Sequence, residues 1–448
     1  MTARRVHDAR AKNYPMATRL AGGRPDGTQF VDGSICHRLL NSTVALVALA
    51  LLSLTVVISP ARAQKQYDPG ASDVEVKLGQ TMPYSGPASL FGVTGRIMSA
   101  YFRRLNEQGG VNGRKITFLS LDDGFSPPKT VEQTRRLVES DEVLAIVGSV
   151  GSPTNLAVAK YLNGRKVPQL LVAAGSPKLN NPELLPWTTT FFSSAYVETY
   201  IYAQQILKDK PEAKLAILYQ DDDFGRNYLN GMKAALRESR VQMVAAAGHE
   251  LSAPTIESQI ANLKSSGADV LLIATTPKFA AQAIRKTYEL NWTPMRFVVT
   301  PSAIFSVLKA AGADASKGVI SSQWVMQAAD PEWEDEPAMK EFVAFMQKWA
   351  PEEKMDDASA TYAYSEAQLI VELIRRCGDK LTRENLLWQA THIEDYQLPL
   401  FVPGVKINVT PTSHLGWRQA KVIQFDGQKW AYSTDVETAP ETATRSLD

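Results

Sequence analysis

The residues best placed to do chemistry are Ser152 and Pro153, at the end of a glycine-broken loop. The stretch from Val143 to Pro177 reads VLAIVGSVGSPTNLAVAKYLNGRKVPQLLVAAGSP. Val143 to Val147 is an apolar run of strand length, and Gly148 to Gly151 break it. Ser152 followed by proline is the pattern of a helix start. Leu156, Ala159 and Leu162 continue at helical spacing until Asn163-Gly164. Leu170 to Val172 is a second apolar run, opening into Ala173-Ala174-Gly175-Ser176-Pro177. Two parallel strands therefore end side by side, where open α/β sheets bind ligands. The free N–H groups of a helix start suit an anion such as a carboxylate. The alternative is that Ser152 only caps its helix.

Other reactive residues are sparse. Beyond residue 63 the histidines are His249, His392 and His414, far apart and without ligand spacing, so no metal site is expected. Asp122-Asp123 and Asp221-Asp222-Asp223 read as strand ends, and the latter lack the glutamate that closes a calcium loop. No phosphate-binding glycine motif and no G-x-S-x-G elbow occur, so neither a cofactor nor an enzymatic nucleophile–base pair is indicated.

The elements that must position Ser152 alternate as strand and helix. Val74, Val76 and Leu78 begin a strand, and Ile97, Tyr101 and Leu105 mark a helix. Ile116 to Leu121 form the next strand, before a helix started by Ser126-Pro127. Phe191 to Ala195 reads as a crossing point, after which the rhythm restarts. Strands are expected at Leu215–Tyr219, Met243–Ala247, Val270–Ala274, Phe297–Thr300 and Val319–Ser321, separated by helices. Helices Pro337–Trp349, Ala358–Cys377 and Arg383–Ala390 follow, then a hairpin turning at Asp426-Gly427. Such alternation means a mostly parallel α/β architecture in two lobes.

With 448 residues the chain is long enough for two domains. Its net charge of +1 hides an asymmetry. Residues 1–63 hold eight of the 48 Lys and Arg but only three of the 47 acidic residues, so the remainder is acidic by four. Nucleic acid is not an expected partner. The apolar run Val44–Ile58, about 15 residues, precedes Ala61-Arg62-Ala63, so residues 1–63 read as a cleaved signal peptide and the protein as periplasmic. Only Cys377 then remains, which leaves no internal disulfide.

Several ordered segments carry a specific resemblance. They are Ser85-Gly86-Pro87, the run from Asn106 to Arg114, Leu121-Asp122-Asp123 with Pro128-Lys129, and Gly148 to Ser152. Tyr219-Gln220-Asp221 with Phe224-Gly225 and Lys317-Gly318-Val319 follow in the same order. From Val74 to about Tyr432 the chain resembles the periplasmic branched-chain amino-acid-binding (Leu/Ile/Val-binding) family of ABC transporter solute-binding proteins. That resemblance implies two Rossmann-like lobes, a three-crossover hinge and the type I periplasmic binding fold. The first lobe would be residues 74–191 plus 322–403 and the second 192–321 plus 404–434, with 435–448 a flexible tail.

The resemblance also implies a site. A ligand carboxylate would meet Ser152, aided by the N–H groups of Thr154 and Asn155, and the loop from Ala173 to Gly175. Gly175 stands where typical members have a threonine, and Ser176 would supply the hydroxyl. Phe91 and Phe224 replace two pocket tyrosines, and a third falls at Thr275 or Thr276. Phe125 and Gly151 replace two cysteines that are paired in some members. The acid that binds a ligand ammonium falls at Ser302. A buried ammonium without an anion costs several kcal/mol, which points to an apolar or aromatic carboxylate lacking an α-amino group. Glu198, Asp221, Asp222 or Asp223 would supply the anion from elsewhere. The implied function is to bind an amino acid or related small carboxylate in the inter-lobe cleft and deliver it to an ABC permease in the inner membrane. The alternatives are ligand sensing by the same fold, or binding of an aromatic or hydrophobic carboxylate that lacks the α-amino group.

Overall fold

The computed structural model describes residues 65–355 and 358–444. The expected signal peptide lies outside the described residues. Two sheets organise the rest. In the first, the strands run in the order Lys115–Asp122, Glu75–Met82, Ala145–Val147, Gln169–Val172 and Thr188–Thr190, all parallel. In the second, the order is Gln242–His249, Lys214–Gln220, Val270–Ala274, Met295–Val298 and Val319–Gln323, again parallel. Each sheet therefore has its second strand at one edge, beside the first, then the third to the fifth. The chain order reverses between the first and third strands of each, and ligands bind in the crevice beyond such reversals.

The central strands are apolar along their whole length because helices cover both faces. Val270, Leu271, Leu272, Ile273 and Ala274 are all fully buried. The helices begin where the sequence signals them, with proline in the first turn at Pro127, Pro153, Pro277 and Pro337. Helix Ala358–Cys377 packs on helix Gly92–Glu107 through Tyr364 against Tyr101 and a Tyr362–Thr94 hydroxyl contact of 2.7 Å.

Three crossovers join the sheets, and they are zipped together. The amide of Val402 donates to Trp324 (2.9 Å), and that of Met326 to Leu400 (2.8 Å). The Ser193 hydroxyl donates to the Trp417 carbonyl at 2.8 Å. Trp324 packs edge-on against Phe191, Phe192 and Phe401 and is tilted against Trp417. One indole thus touches rings from both other crossovers.

Three expectations need correction. The strand placed at Phe297–Thr300 ends at Val298, and Thr300–Ser302 is a 3-10 turn, since Pro301 has no N–H to continue a ladder. The helix after it starts at Phe305. The tail set apart from residue 435 is not free, because Glu437–Thr438 pairs with Gln419 and Ala420, and the Ala439 amide donates to Arg418.

Candidate functional site

The first lobe supplies a glycine loop. Strand Ala145–Val147 ends at Gly148, and both Gly148 (φ 62°) and Gly151 (φ 104°) adopt left-handed backbone. A Cβ on Gly151 would sit 2.5 Å from the Phe125 ring and 2.7 Å from Thr154 Oγ1. Phe125 and Gly151, set together by the resemblance, thus meet here as a large and a small residue. This loop delivers Ser152 into the crevice, fully buried, with its Oγ lacking any hydrogen-bond partner among the described residues.

Ser152 does not cap its helix. Gly151 is the N-cap, and no side chain caps the terminus. Asn155 Nδ2 donates to the Ser149 and Gly151 carbonyls, and Thr154 Oγ1 to that of Val150. The Asn155 amide, expected to serve a ligand, is taken by the Gly151 carbonyl at 3.2 Å. Ala173, Ala174 and Gly175 line the same crevice, whereas Ser176 is buried outside it with an unpartnered hydroxyl.

The second lobe faces this with different residues from those expected. Thr276, not Thr275, lines the crevice. Thr275 is turned away, its Oγ1 bonded to His249 Nε2 at 2.7 Å. Thr276 Oγ1 is buried, has no partner, and does not cap the helix Pro277–Glu289 that it precedes. Ser302 is also turned away and donates to the Thr275 carbonyl at 2.6 Å, leaving Pro301 in the wall. Both misplacements are of one residue: Thr275 and Thr276 follow a strand end, where neighbouring side chains point to opposite sides, and Pro301 and Ser302 lie in a 3-10 turn.

Glu198, on helix Ala195–Asp209, lines the crevice. Its carboxylate accepts from Tyr228 (2.8 Å), Tyr202 (3.0 Å) and the Thr300 amide (3.0 Å). Burial pushes its pKa above the ordinary carboxylate value, and these donors pull the other way. The aspartates weighed beside it are occupied elsewhere or exposed. Asp221 pairs with Arg226, Asp222 caps the helix Asp223–Ala235, and Asp223 is exposed.

The remaining wall is aromatic. Phe91 and Phe224 line it as expected, and Phe125, Phe192, Tyr228 and Tyr362 join them. The crevice is lined mostly by apolar and aromatic side chains with a few polar groups, as small-molecule sites are. Sequence reasoning missed four of these rings because core and site aromatics look alike in sequence. Thr276-Pro277 repeats the hydroxyl–proline pair of Ser152-Pro153, and that repetition was the available signal for the second lobe.

Comparison with known proteins agrees with this fold. Residues 75–429 match the family model described as periplasmic binding protein. The Leu/Ile/Val-binding protein homolog 7 of Brucella abortus is 23% identical over 344 residues, 74% of this chain and 82% of the relative. A branched-chain amino acid ABC transporter structure from Thermus thermophilus with bound valine superposes with a TM-score of 0.75 at 18% identity. That match covers 82% of this chain and 98% of the other. A fatty acid ABC transporter substrate-binding protein from Thermomonospora curvata gives 0.74 at 22% identity, covering 85% and 96%. At these identities the structures speak for the fold alone.

Proposed function

Since the chain belongs to the periplasmic binding protein family, whose members are solute-binding proteins that work with ABC permeases, we propose that its inter-lobe crevice binds an amino acid with a large apolar side chain. The observation that carries this reading is the Ser152 hydroxyl, buried without a partner at the rim of an aromatic crevice. Burying a hydroxyl unpaired is costly, and a ligand carboxylate removes that cost. Thr276 offers a second unpaired hydroxyl from the facing lobe. Glu198 answers the expectation that no anion faces a ligand ammonium. It replaces Ser302 in that role from a different helix. The Brucella and Thermus relatives, named for branched-chain amino acids, agree with this chemistry.

A second reading keeps the carboxylate and drops the amino group. It is favoured by the three donors already satisfying Glu198, which leave it needing no ligand cation. Calorimetry with a matched pair, phenylalanine and 3-phenylpropanoate, decides between them. Tighter binding of the amino acid, lost in Glu198→Gln, supports the first reading. Preference for the deaminated acid establishes the second.

The protein works by closing its lobes on the solute rather than by catalysis, then handing it to a permease. Export removes residues 1–63, so mass spectrometry of the periplasmic protein should find an N-terminus at Gln64. A membrane-bound chain with an intact N-terminus would overturn the export step.

A further inference from the structure

The crevice has a second arm. It shares Phe91, Phe192, Pro301 and Tyr362 with the first and is lined in addition by Trp324 and Ile304. The two arms differ in how their polar groups are met. At the Ser152 end two hydroxyls, those of Ser152 and Thr276, are buried and unpaired. In the second arm every hydroxyl has a partner. Thr300 Oγ1 donates to the Ser322 carbonyl at 3.1 Å, the Tyr362 hydroxyl meets Thr94 at 2.7 Å, and Ser359 bonds Tyr362. What the second arm still offers an occupant is apolar surface and ring edges.

We propose that this arm is the side-chain subsite, and that it selects solutes ending in an aromatic ring. The inference rests on the carboxylate-head reading above and adds the identity of the tail. A polar head anchored at Ser152 leaves the tail to run past Phe91 toward Trp324. Phe192 and Tyr362 meet there at 4.9 Å between ring centres, edge to face, and Trp324 lies 5.4 Å from Phe192 in the same manner. Aromatic groups stack edge-to-face at such distances and gain beyond their buried area. A short aliphatic side chain meets Phe192 and Tyr362, which line both arms, but not Trp324, which lines only the second. Trp324 is also the indole that joins the crossovers, so a ring seated on it stabilises the zipped hinge directly.

The test uses the mature protein and ligands of one head and graded tails: alanine, leucine and phenylalanine, with the three deaminated acids in parallel. We expect the ring-bearing member of either set to bind at least tenfold more tightly than the leucine-sized one. Ile304→Trp, which fills the arm, should weaken the ring-bearing ligands at least tenfold more than the alanine-sized ones and so erase that preference. Ligand-induced change in tryptophan emission should follow the ring and vanish in Trp324→Phe. The ligand series on the unaltered protein stands even where a variant fails to fold. Equal or tighter binding of the aliphatic members, or an equal effect of Ile304→Trp on short and long tails, overturns the subsite. Failure of both ligand sets to bind at all overturns the head-group reading and the subsite with it.

Discussion

The two lobes use one strand order, yet they reach the crevice by different turns. In the first, strand Ala145–Val147 ends in a loop with two left-handed glycines before Ser152. In the second, strand Val270–Ala274 runs through Thr275 and Thr276 straight into Pro277, with no glycine. Both turns place an unpaired hydroxyl ahead of a proline-started helix. The switch point fixes where a ligand group is needed, and either a glycine loop or a direct strand-to-helix turn supplies it.

The lobes also bury one glutamate each, in opposite surroundings. Glu198 of the second lobe accepts three hydrogen bonds. Glu366, on the helix Ala358–Cys377 behind the first lobe's loop, has no partner on either oxygen among the described residues. Its Oε1 lies 3.1 Å from where a Cβ on Gly148 would stand. The largest expected effect follows from this contrast. Glu198→Ala strands the Tyr228 hydroxyl and the Thr300 amide in the interior, and should cost on the order of 3 kcal/mol in denaturant unfolding. Glu366→Ala strands nothing. Equal losses for the two would mean that the donors around Glu198 are not what hold it.

Glu366 should instead reveal itself through pH. Burial alone pushes its pKa well above the ordinary carboxylate value. The folded state then holds a proton that the unfolded state gives up. Stability is therefore full below the ordinary carboxylate value and declines as pH rises toward the folded value. Glu366→Gln stays neutral throughout and should not share that decline. The gap between variant and parent should widen from about pH 5 to pH 8 in unfolding experiments. Parallel curves would show that Glu366 is not a neutral buried acid.

The legible part of the molecule is the part where local chemistry decides. Helices Pro337–Trp349, Ala358–Cys377 and Arg383–Ala390 lie at the bounds that periodicity and breakers set. The loop before Ser152 announced itself by its glycines. The strand Thr188–Thr190 did not, because three threonines carry no apolar run. In the second lobe, the choice between Thr275 and Thr276 depends on which side of a strand end faces the crevice, and that between Pro301 and Ser302 on the pitch of a 3-10 turn. A partner such as His249 settles the first choice, and it comes from a distant strand. Glu198 was visible only as one of four acids, and nothing local separates it from Asp221 or Asp222.

The two hydroxyls test the comparison of the turns. Ser152→Ala should weaken binding roughly tenfold or more, the scale of a hydrogen bond to a charged group at about 1.5–3 kcal/mol. The ligand-free protein should lose no stability and gain a little, because an unpaired buried hydroxyl is removed. Thr276→Val should weaken binding less, by several-fold, as a neutral hydrogen bond at about 1 kcal/mol does. Calorimetry on both variants checks the ranking. A larger loss at Thr276 would reverse the assignment and put the carboxylate on the second lobe.

The smallest effect on binding belongs to Ser302. Its hydroxyl is fully buried and donates to the Thr275 carbonyl, tying the 3-10 turn at Thr300–Ser302 to the end of strand Val270–Ala274. Ser302→Ala leaves that carbonyl without this donor and should cost about 1–2 kcal/mol of stability. Ligand affinity should change by less than about twofold, since the side chain points away from the crevice and no charge is altered. Stability and affinity therefore part in opposite senses at Ser302 and Ser152: one serine holds the wall, the other serves the ligand. A tenfold loss of affinity in Ser302→Ala, at unchanged stability, would restore Ser302 to the ligand and remove Glu198 from it.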